Sequence, residues 1–481
     1  MTSKHVARAC LALAPLVWAC STYDLEGMAI ESPANLIVVG DMTSLSIVAR
    51  DGSVPSASAV AWASSDSAIA TVDELGVVTG KGPGWVRIEA RTADYRLEML
   101  LLVLETAGPF TSIETGVNHS CALAGDGTAW CWGRNTYGQV GTPYSPDRCY
   151  FTKDEFLGCA AGAIPVETDL RFTEIAVGFY HNCGLTSAGT AHCWGLNDQG
   201  QLGDGGTDTR PRPVDVTGDQ VFKSLTAGGR TTCGITLDDA LLCWGDVRHA
   251  DAASAEGLTT PTRVAAEHQF AVATTSGYHT CGVTPASATY CWGSNTFGQL
   301  GVARVDSICG PFQCTPVPQE VVSAPPFTDL ALSRAFSCGL TADGAAHCWG
   351  GNEHGQLGDG TRTDRWDPLP VIGGHAFARL GADGDRACGV DGEGLVHCWG
   401  RDPGGFGNGG EDEIETDQPT LAAGGLTFSL MAVGFEGFCG VDRSGVAWCW
   451  GPNLDGALGN GRTQRFPVVS APVRVVRHPE A

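Results

Sequence analysis

The chain has 481 residues, with 53 acidic against 29 basic side chains for a formal charge of −24, and it contains 66 Gly, 20 Cys and 13 Trp. Apolar residues make up 43% and charged ones only 17%, which supplies packed domains and excludes a disordered polyelectrolyte. So acidic a balance disfavours a nucleic-acid or anionic-membrane surface, because each phosphate contact requires a Lys or Arg. Twenty cysteines without one C-x-x-C pair argue against zinc ribbons and for an oxidising compartment.

Lys4 and Arg8 give a short positive start, Ala9 to Ala19 are apolar or small, and Cys20 follows, which is the layout of an export signal over residues 1–19. The Val17-Trp18-Ala19-Cys20 ending resembles the lipobox of bacterial lipoproteins. That resemblance implies cleavage before Cys20, lipidation of Cys20 and a tether over residues 20–26. A plain secretory signal cut nearby is the alternative. Loss of residues 1–19 removes Lys4 and Arg8, so the exported chain carries 27 basic and 53 acidic residues, or −26. The expected location is the outer membrane or cell surface, with a secreted or periplasmic protein as the alternative. Stable anchoring takes two or more acyl chains. Membrane contact is expected through the lipid alone, since the longest apolar stretch elsewhere is Met99 to Leu104 and a spanning helix needs about 20 residues.

Residues 27–105 hold no cysteine and read as short strands: 35–39, 44–48, 59–62, 69–72, 76–79, 85–89 and 97–104. Such spacing predicts a β-sandwich. The run Trp62-Ala-Ser-Ser-Asp-Ser-Ala-Ile-Ala-Thr-Val-Asp73, then Gly76-Val-Val-Thr-Gly80, resembles the bacterial immunoglobulin-like domains of group 2. In that family such modules serve as spacers and stalks, and Trp62 reads as a core residue.

From residue 107 to 477 the chain repeats itself. Cys-Trp-Gly occurs seven times, with Cys at 131, 193, 243, 291, 348, 398 and 449, at intervals of 62, 50, 48, 57, 50 and 51 residues. Ten positions ahead of each stands another cysteine: Cys121, Cys183, Cys233, Cys281, Cys338, Cys388 and Cys439. Between them the text is strand-like around a turn such as Asp126-Gly127 or Asp343-Gly344. A hairpin centred there sets the two cysteines opposite each other at disulfide range, so the pairs Cys121–Cys131, Cys183–Cys193, Cys233–Cys243, Cys281–Cys291, Cys338–Cys348, Cys388–Cys398 and Cys439–Cys449 are expected. Each unit offers about four short strands, and radial repetition of four-stranded sheets is how a β-propeller limits exposed edges. The fold class is all-β: a seven-bladed propeller behind an immunoglobulin-like sandwich.

Gly116-x-x-His-x-Cys-Ala-Leu123, followed by Cys-Trp-Gly-x-Asn-x-x-Gly-Gln-Leu-Gly, resembles the repeat of the regulator of chromosome condensation family, whose fold is a seven-bladed propeller. The third unit departs with Asp246-Val-Arg-His-Ala250 and the sixth with Asp402-Pro-Gly-Gly-Phe-Gly407, where altered turns are expected. The family's nuclear member exchanges nucleotide on a small GTPase and sits on chromatin; the export signal, the acidity and the lack of a basic tail speak against that role here. A secreted bacterial relative inhibits β-lactamases through one face of its ring, which implies extracytoplasmic protein binding.

Two insertions break the period, residues 142–163 and 302–316, each with its own cysteine pair, Cys149 with Cys159 and Cys309 with Cys314. Both leave the repeat just after the Gly-Gln-Leu-Gly block, so they are expected on one face of the ring. A stapled loop loses less entropy on binding. Its aromatics Tyr144, Tyr150, Phe151, Phe156 and Phe312 are the candidate anchors for a partner, a protein or glycan at the cell surface. No catalytic motif, cofactor or metal site is evident: His119, His181 and His279 recur without a carboxylate beside them and read as hydrogen-bonding residues, and the acidic loops 204–208, 359–364 and 411–417 lack calcium-loop spacing. The expectation is a monomeric, non-catalytic binding scaffold that binds no nucleic acid. The alternative is an enzyme acting on an extracellular polymer through loop carboxylates.

Overall fold

A computed structural model describes residues 28–32, 35–49, 60–92, 96–152, 155–247, 257–302, 308–309, 312–409, 413–435, 437–463 and 469–479. The signal, Cys20 and the tether lie outside the described residues. Regular structure among the described residues is β-strand with short 3-10 turns and no α-helix. Residues 28–106 with 476–479 form one compact unit and 107–475 the other.

In the first unit, strands Leu36–Val38, Arg96–Leu104, Gly84–Arg91 and Ala61–Ser64 lie side by side in that order. Met42–Ser44, Val77–Gly80 and Ala70–Val72 make a second sheet, and Met28–Glu31 pairs with Ser46–Ala49. Alternation fixes the buried face: along Gly84–Arg91, Val86, Ile88 and Ala90 are buried while Trp85 and Arg87 are exposed. Val78, Leu101 and Val103 complete the centre of this core, and Trp62 packs against it. The strand Met28–Glu31 was not anticipated; its short Met-Ala-Ile-Glu text gives no alternation to read.

The second unit contains seven sheets among the described residues, each made from one continuous stretch of chain; five keep their strands in sequence order, and in the first and fourth the last two strands exchange places. The first uses Phe110–Thr115, His119–Ala124, Ala129–Arg134 and Glu155–Pro165, and the last uses Leu430–Val433, Phe438–Val441, Ala447–Gly451 and Val469–Arg474. The innermost strand of each sheet packs against that of the next, and the seventh against the first, so the ring closes. Among the described residues no strand is exchanged at the closure. That junction is held by contacts such as Trp132 Nε1 donating to Ala457 O at 3.0 Å and Phe110 N donating to Gly445 O at 2.8 Å.

Within each blade the second and third strands pair in the register that sets cysteine opposite cysteine, as in Cys121 with Cys131. All seven repeat pairs are disulfide-bonded, with Cα atoms 4.0–4.1 Å apart. The cystines lie between blades. Cys121 and Cys131, for instance, share a cluster with Phe172 and Trp194 of the following blade. The seven repeat tryptophans are at most 1% exposed. Each buries an aromatic surface of roughly 150–250 Å², which makes them the chief apolar filling between sheets. The tryptophan indole also ties neighbours: Trp194, Trp349 and Trp399 donate Nε1 to the carbonyls of Gln139, Gln299 and Gln356 in the preceding blade.

The two insertions, expected as stapled loops, instead extend their sheets. Asp147–Thr152 forms a fifth strand outside Glu155–Pro165, and Ile308–Cys309 one outside Phe312–Glu320. Pairing satisfies backbone groups that an open loop would leave to water. Cys149 and Cys159 are bonded, with Cα atoms 5.9 Å apart. Cys314 is buried and disulfide-bonded, while the side chain of Cys309 lies outside the described residues.

Candidate binding face of the propeller

Because the strands of a blade alternate in direction, the turn between first and second strands and the connection between third and fourth emerge on the same side of the ring. That connection is the Asn-x-x-Gly-Gln-Leu-Gly block. Asn135 Oδ1 accepts from Val140 N at 3.1 Å while its amide donates to the carbonyls of Thr142 and Tyr144, both at 3.1 Å. Asn197, Asn352 and Asn453 accept in the same way from Leu202, Leu357 and Leu458. Gly138 sits at φ +77°, and a Cβ there would stand 2.3 Å from Pro211 Cα of the next blade, so only glycine fits. The insertion hairpins leave on this side as well. Their pairing to the third strands ends at Arg134 with Cys159 and at Ser294 with Cys314, and the pairing of Asp147–Thr152 with Glu155–Pro165 and of Ile308–Cys309 with Phe312–Glu320 continues past it.

Tyr144 is exposed at 61% on this side. Tyr150 pairs with Phe156 and Cys309 with Phe312 through the backbone, but the side chains of Tyr150, Phe151, Phe156 and Phe312 lie outside the described residues. The structure adds aromatics that the sequence reading passed over. Tyr137 meets Tyr180 edge-on at 5.6 Å, Phe179 lies 6.5 Å from Tyr180, and Phe179 lies 6.4 Å from Tyr278. Arg134 stands over Tyr180 at 5.8 Å and Arg334 over Tyr278 at 5.3 Å. Phe297 and Phe435, 41% and 49% exposed, stand on the same side. The signal was present in the text: the two residues before the second strand vary from blade to blade within a strict repeat, as in Phe179-Tyr180, Arg334-Ala335 and Gly384-Asp385.

The rim surrounds an axial cavity of about 650 Å³ lined by the innermost strands. Among its lining residues are Glu114, Glu174, Asp329 and Asp383, with Arg379 and Arg334 as the cations. Glu114 meets solvent inside the cavity but is walled in by protein; this burial, with Glu174 and Asp329 nearby, pushes its carboxyl up to about 7 against the pull of Arg379. Burial also raises Glu174 and Asp329, opposed by hydrogen bonds from the Leu225 and Leu330 backbone N–H groups. Asp383 is pushed up by burial to about 6.

The repeat histidines do not face this cavity as ligands. His119 Nε2 pairs with Asn182 Oδ1 at 2.9 Å, His181 Nε2 with Thr232 Oγ1 at 2.8 Å and His279 Nε2 with Ser337 Oγ at 2.7 Å, each partner lying in the following blade. Asn182, Thr232 and Ser337 in turn donate to the carbonyls of Gln139, Gln201 and Gln299. The histidines do make hydrogen bonds, and together with these partners they form a relay that latches one blade to the next. Burial drives His119 down to about 4 and His181 to about 3, which keeps both neutral.

Acidic loop residues are committed locally. Asp204 accepts from Asn197 Nδ2, Gly206 N and Arg210 Nε, and Asp359 from Asn352 Nδ2, Thr361 N and Arg365 Nε. Among the described residues no group of three or more His, Cys, Asp or Glu stands close enough to hold a metal ion.

The Regulator of chromosome condensation (RCC1) repeat matches residues 110–139, 172–201 and 327–356, and in a second form 126–185, 188–235 and 288–340. The bacterial Ig-like domain (group 2) matches residues 28–94. The Ultraviolet-B receptor UVR8 of Arabidopsis thaliana is 25% identical over 54% of this chain and 57% of its own length. The secretion-regulating guanine nucleotide exchange factor of Bos taurus is 30% identical over 56% of this chain and 61% of its own. The human E3 ubiquitin-protein ligase HERC2 is 24% identical over 54% of this chain, yet only 5% of HERC2 is covered, so the chain spans less than two thirds of each of these relatives. In fold, yeast RCC1 (Prp20), solved bound to Kap60, superposes with a TM-score of 0.60 at 17% identity over 76% of this chain and 84% of its own. Human WBSCR16 gives 0.60 at 19% over 72% and 92%. Prp20p of Saccharomyces cerevisiae has also been described with its binding properties to Gsp1p and histones. The chain therefore carries, in this order, a bacterial Ig-like domain of group 2 and a seven-bladed propeller of regulator of chromosome condensation repeats.

Proposed function

We propose that this protein is a non-catalytic extracytoplasmic binding scaffold, lipid-anchored at Cys20, that presents the rim side of its propeller to a protein or glycan partner. The observation that carries this reading is the chain of Tyr137, Tyr180, Phe179 and Tyr278, flanked by Arg134 and Arg334, on the side from which both insertion hairpins project. Aromatic and arginine side chains are the residues that dominate binding energy at interfaces. The fold supports the reading in a general way, since Prp20 is a propeller solved in complex with another protein. Against the enzymatic alternative, loop carboxylates such as Asp204 and Asp359 already serve loop amides and arginines.

The test is face-selective photo-cross-linking on intact cells, with a benzophenone side chain placed at Phe297 on the rim side or at Asp219 in a connection on the opposite side. A discrete adduct from Phe297 and none from Asp219, lost in the combined variant F179A/Y180A/Y278A, is the expected result. Adducts of equal yield from both positions would refute the assignment of the face. Cys20→Ala is expected to release the protein from the membrane fraction.

A further inference from the structure

Resting on the reading that this side of the ring binds a partner, we propose that the mouth of the axial cavity receives a basic side chain, a lysine or arginine on a projecting loop of a protein partner. The cavity holds about 650 Å³, room for a loop tip. Phe179, Tyr180, Tyr278 and Phe435 line its mouth. Two of these rings already take a cation in the protein itself, Tyr180 from Arg134 at 5.8 Å and Tyr278 from Arg334 at 5.3 Å, so the rim accepts guanidinium geometry.

Beneath the rim the wall is acidic, with Glu114, Glu174, Asp329 and Asp383 against Arg334 and Arg379, four carboxylates to two cations. Arg379 stands near Glu114 and Asp329. Among the described residues the donor to Glu174 is the Leu225 N–H, at 3.0 Å. Glu114 lies two residues before Gly116 in the rim turn, roughly 7 Å down a strand that rises about 3.3 Å per residue. That depth suits the four-carbon stem of a lysine entering from the rim. An anionic glycan would meet the same carboxylates as repulsion, and a neutral one would leave them unused. Charge complementarity therefore selects a basic protein loop, in keeping with an exported chain of strongly negative charge.

The experiment uses the chain from residue 21 onward and hexalysine as the probe, titrated calorimetrically in about 50 mM salt to limit screening. Hexalysine is expected to bind, and the combined variant E114Q/E174Q/D329N to bind about tenfold more weakly, while D169N/D219N/E267Q, three exposed carboxylates on the opposite side, stays within about twofold of the parent. The amides keep the shape and the Glu174 acceptor, and circular dichroism with gel filtration verifies folding of both variants. Affinity of the parent is expected to rise between pH 5.5 and 8 as the cavity carboxyls ionise, and that of the cavity variant, in which only Asp383 still ionises, to rise clearly less. Equal losses in the two variants would show binding to diffuse charge and overturn the proposal. Tighter binding of a polygalacturonate oligomer than of hexalysine would overturn it as well. If hexalysine does not bind at all, the cation site falls, and the binding face stands or falls by its own cross-linking test.

Discussion

Arg386 and Asp402 stand where other repeats carry His and Asn, and they compensate each other. Arg386 Nη1 meets Asp402 Oδ1 at 2.8 Å with both side chains at most 5% exposed. The second guanidinium nitrogen donates to the carbonyls of Gly434 and Phe435, and the group lies 4.5 Å from the centre of the Phe438 ring. Asp402 Oδ2 accepts from Phe406 N, taking over the turn-forming role of Asn135. Removing one partner leaves a buried charge, so R386M or D402N alone is expected to cost about 3–5 kcal/mol, and the double variant clearly less than the sum. Urea denaturation of the four proteins measures this; additive losses would show that the pair is not coupled. The sequence marked Asp402 as a departure but did not join it to Arg386, because they are sixteen residues apart and meet only through the register that sets Arg386 opposite Gly400.

At the scale of the element, the cystine hairpin is the unit of the ring. Its ten-residue spacing and its turn residues made it readable: Gly127 N donates to Ala124 O across the turn, and the strands then bring Cys121 to Cys131. Closing a loop of this length restrains the unfolded chain by roughly 2.5–3 kcal/mol, so C233A/C243A is expected to lower stability by about that amount, with some further loss from packing. Chemical denaturation with and without reductant provides the check. Both sulfurs are fully buried, so reductant is expected to leave the folded parent unchanged until it unfolds. A variant as stable as the parent would assign the stability to Trp244 and its neighbours instead. Other elements were less legible. Insertion 142–163 reads as a loop because pairing along Asp147–Thr152 depends on a neighbour, Glu155–Pro165, that the local text does not identify as an edge. Phe179 and Tyr180 stood out in the sequence only as a variable pair within a strict repeat, because a short turn has no periodicity and only ring closure brings it near Tyr278.

For the whole molecule, the closed ring gathers charges that the sequence scatters. Glu114, Glu174, Asp329 and Asp383 are separated by dozens of residues, and which face of each inner strand looks into the axis is settled only when seven blades close. Two sets of buried groups then oppose each other in pH. His119 and His181 have folded values of about 4 and 3 against an ordinary 6.5, so below about pH 6.5 the unfolded chain takes up protons that the folded one refuses, and stability falls with falling pH. Glu114 and Asp383 have folded values of about 7 and 6 against 4.5 and 3.8. The folded state holds their protons longer, so their contribution is fully present below about pH 4 and is lost as pH rises through 7. The expected optimum lies between these limbs, in mildly acidic solution. E114Q removes one group from the alkaline limb only. Glu114 retains contact with solvent, which weakens the effect, so a gain in Tm of roughly 1–2 °C at pH 8 is expected, with a much smaller change at pH 5. Equal gains at both pH values would mean that the amide improves packing, and that the charge of Glu114 does not burden the ring.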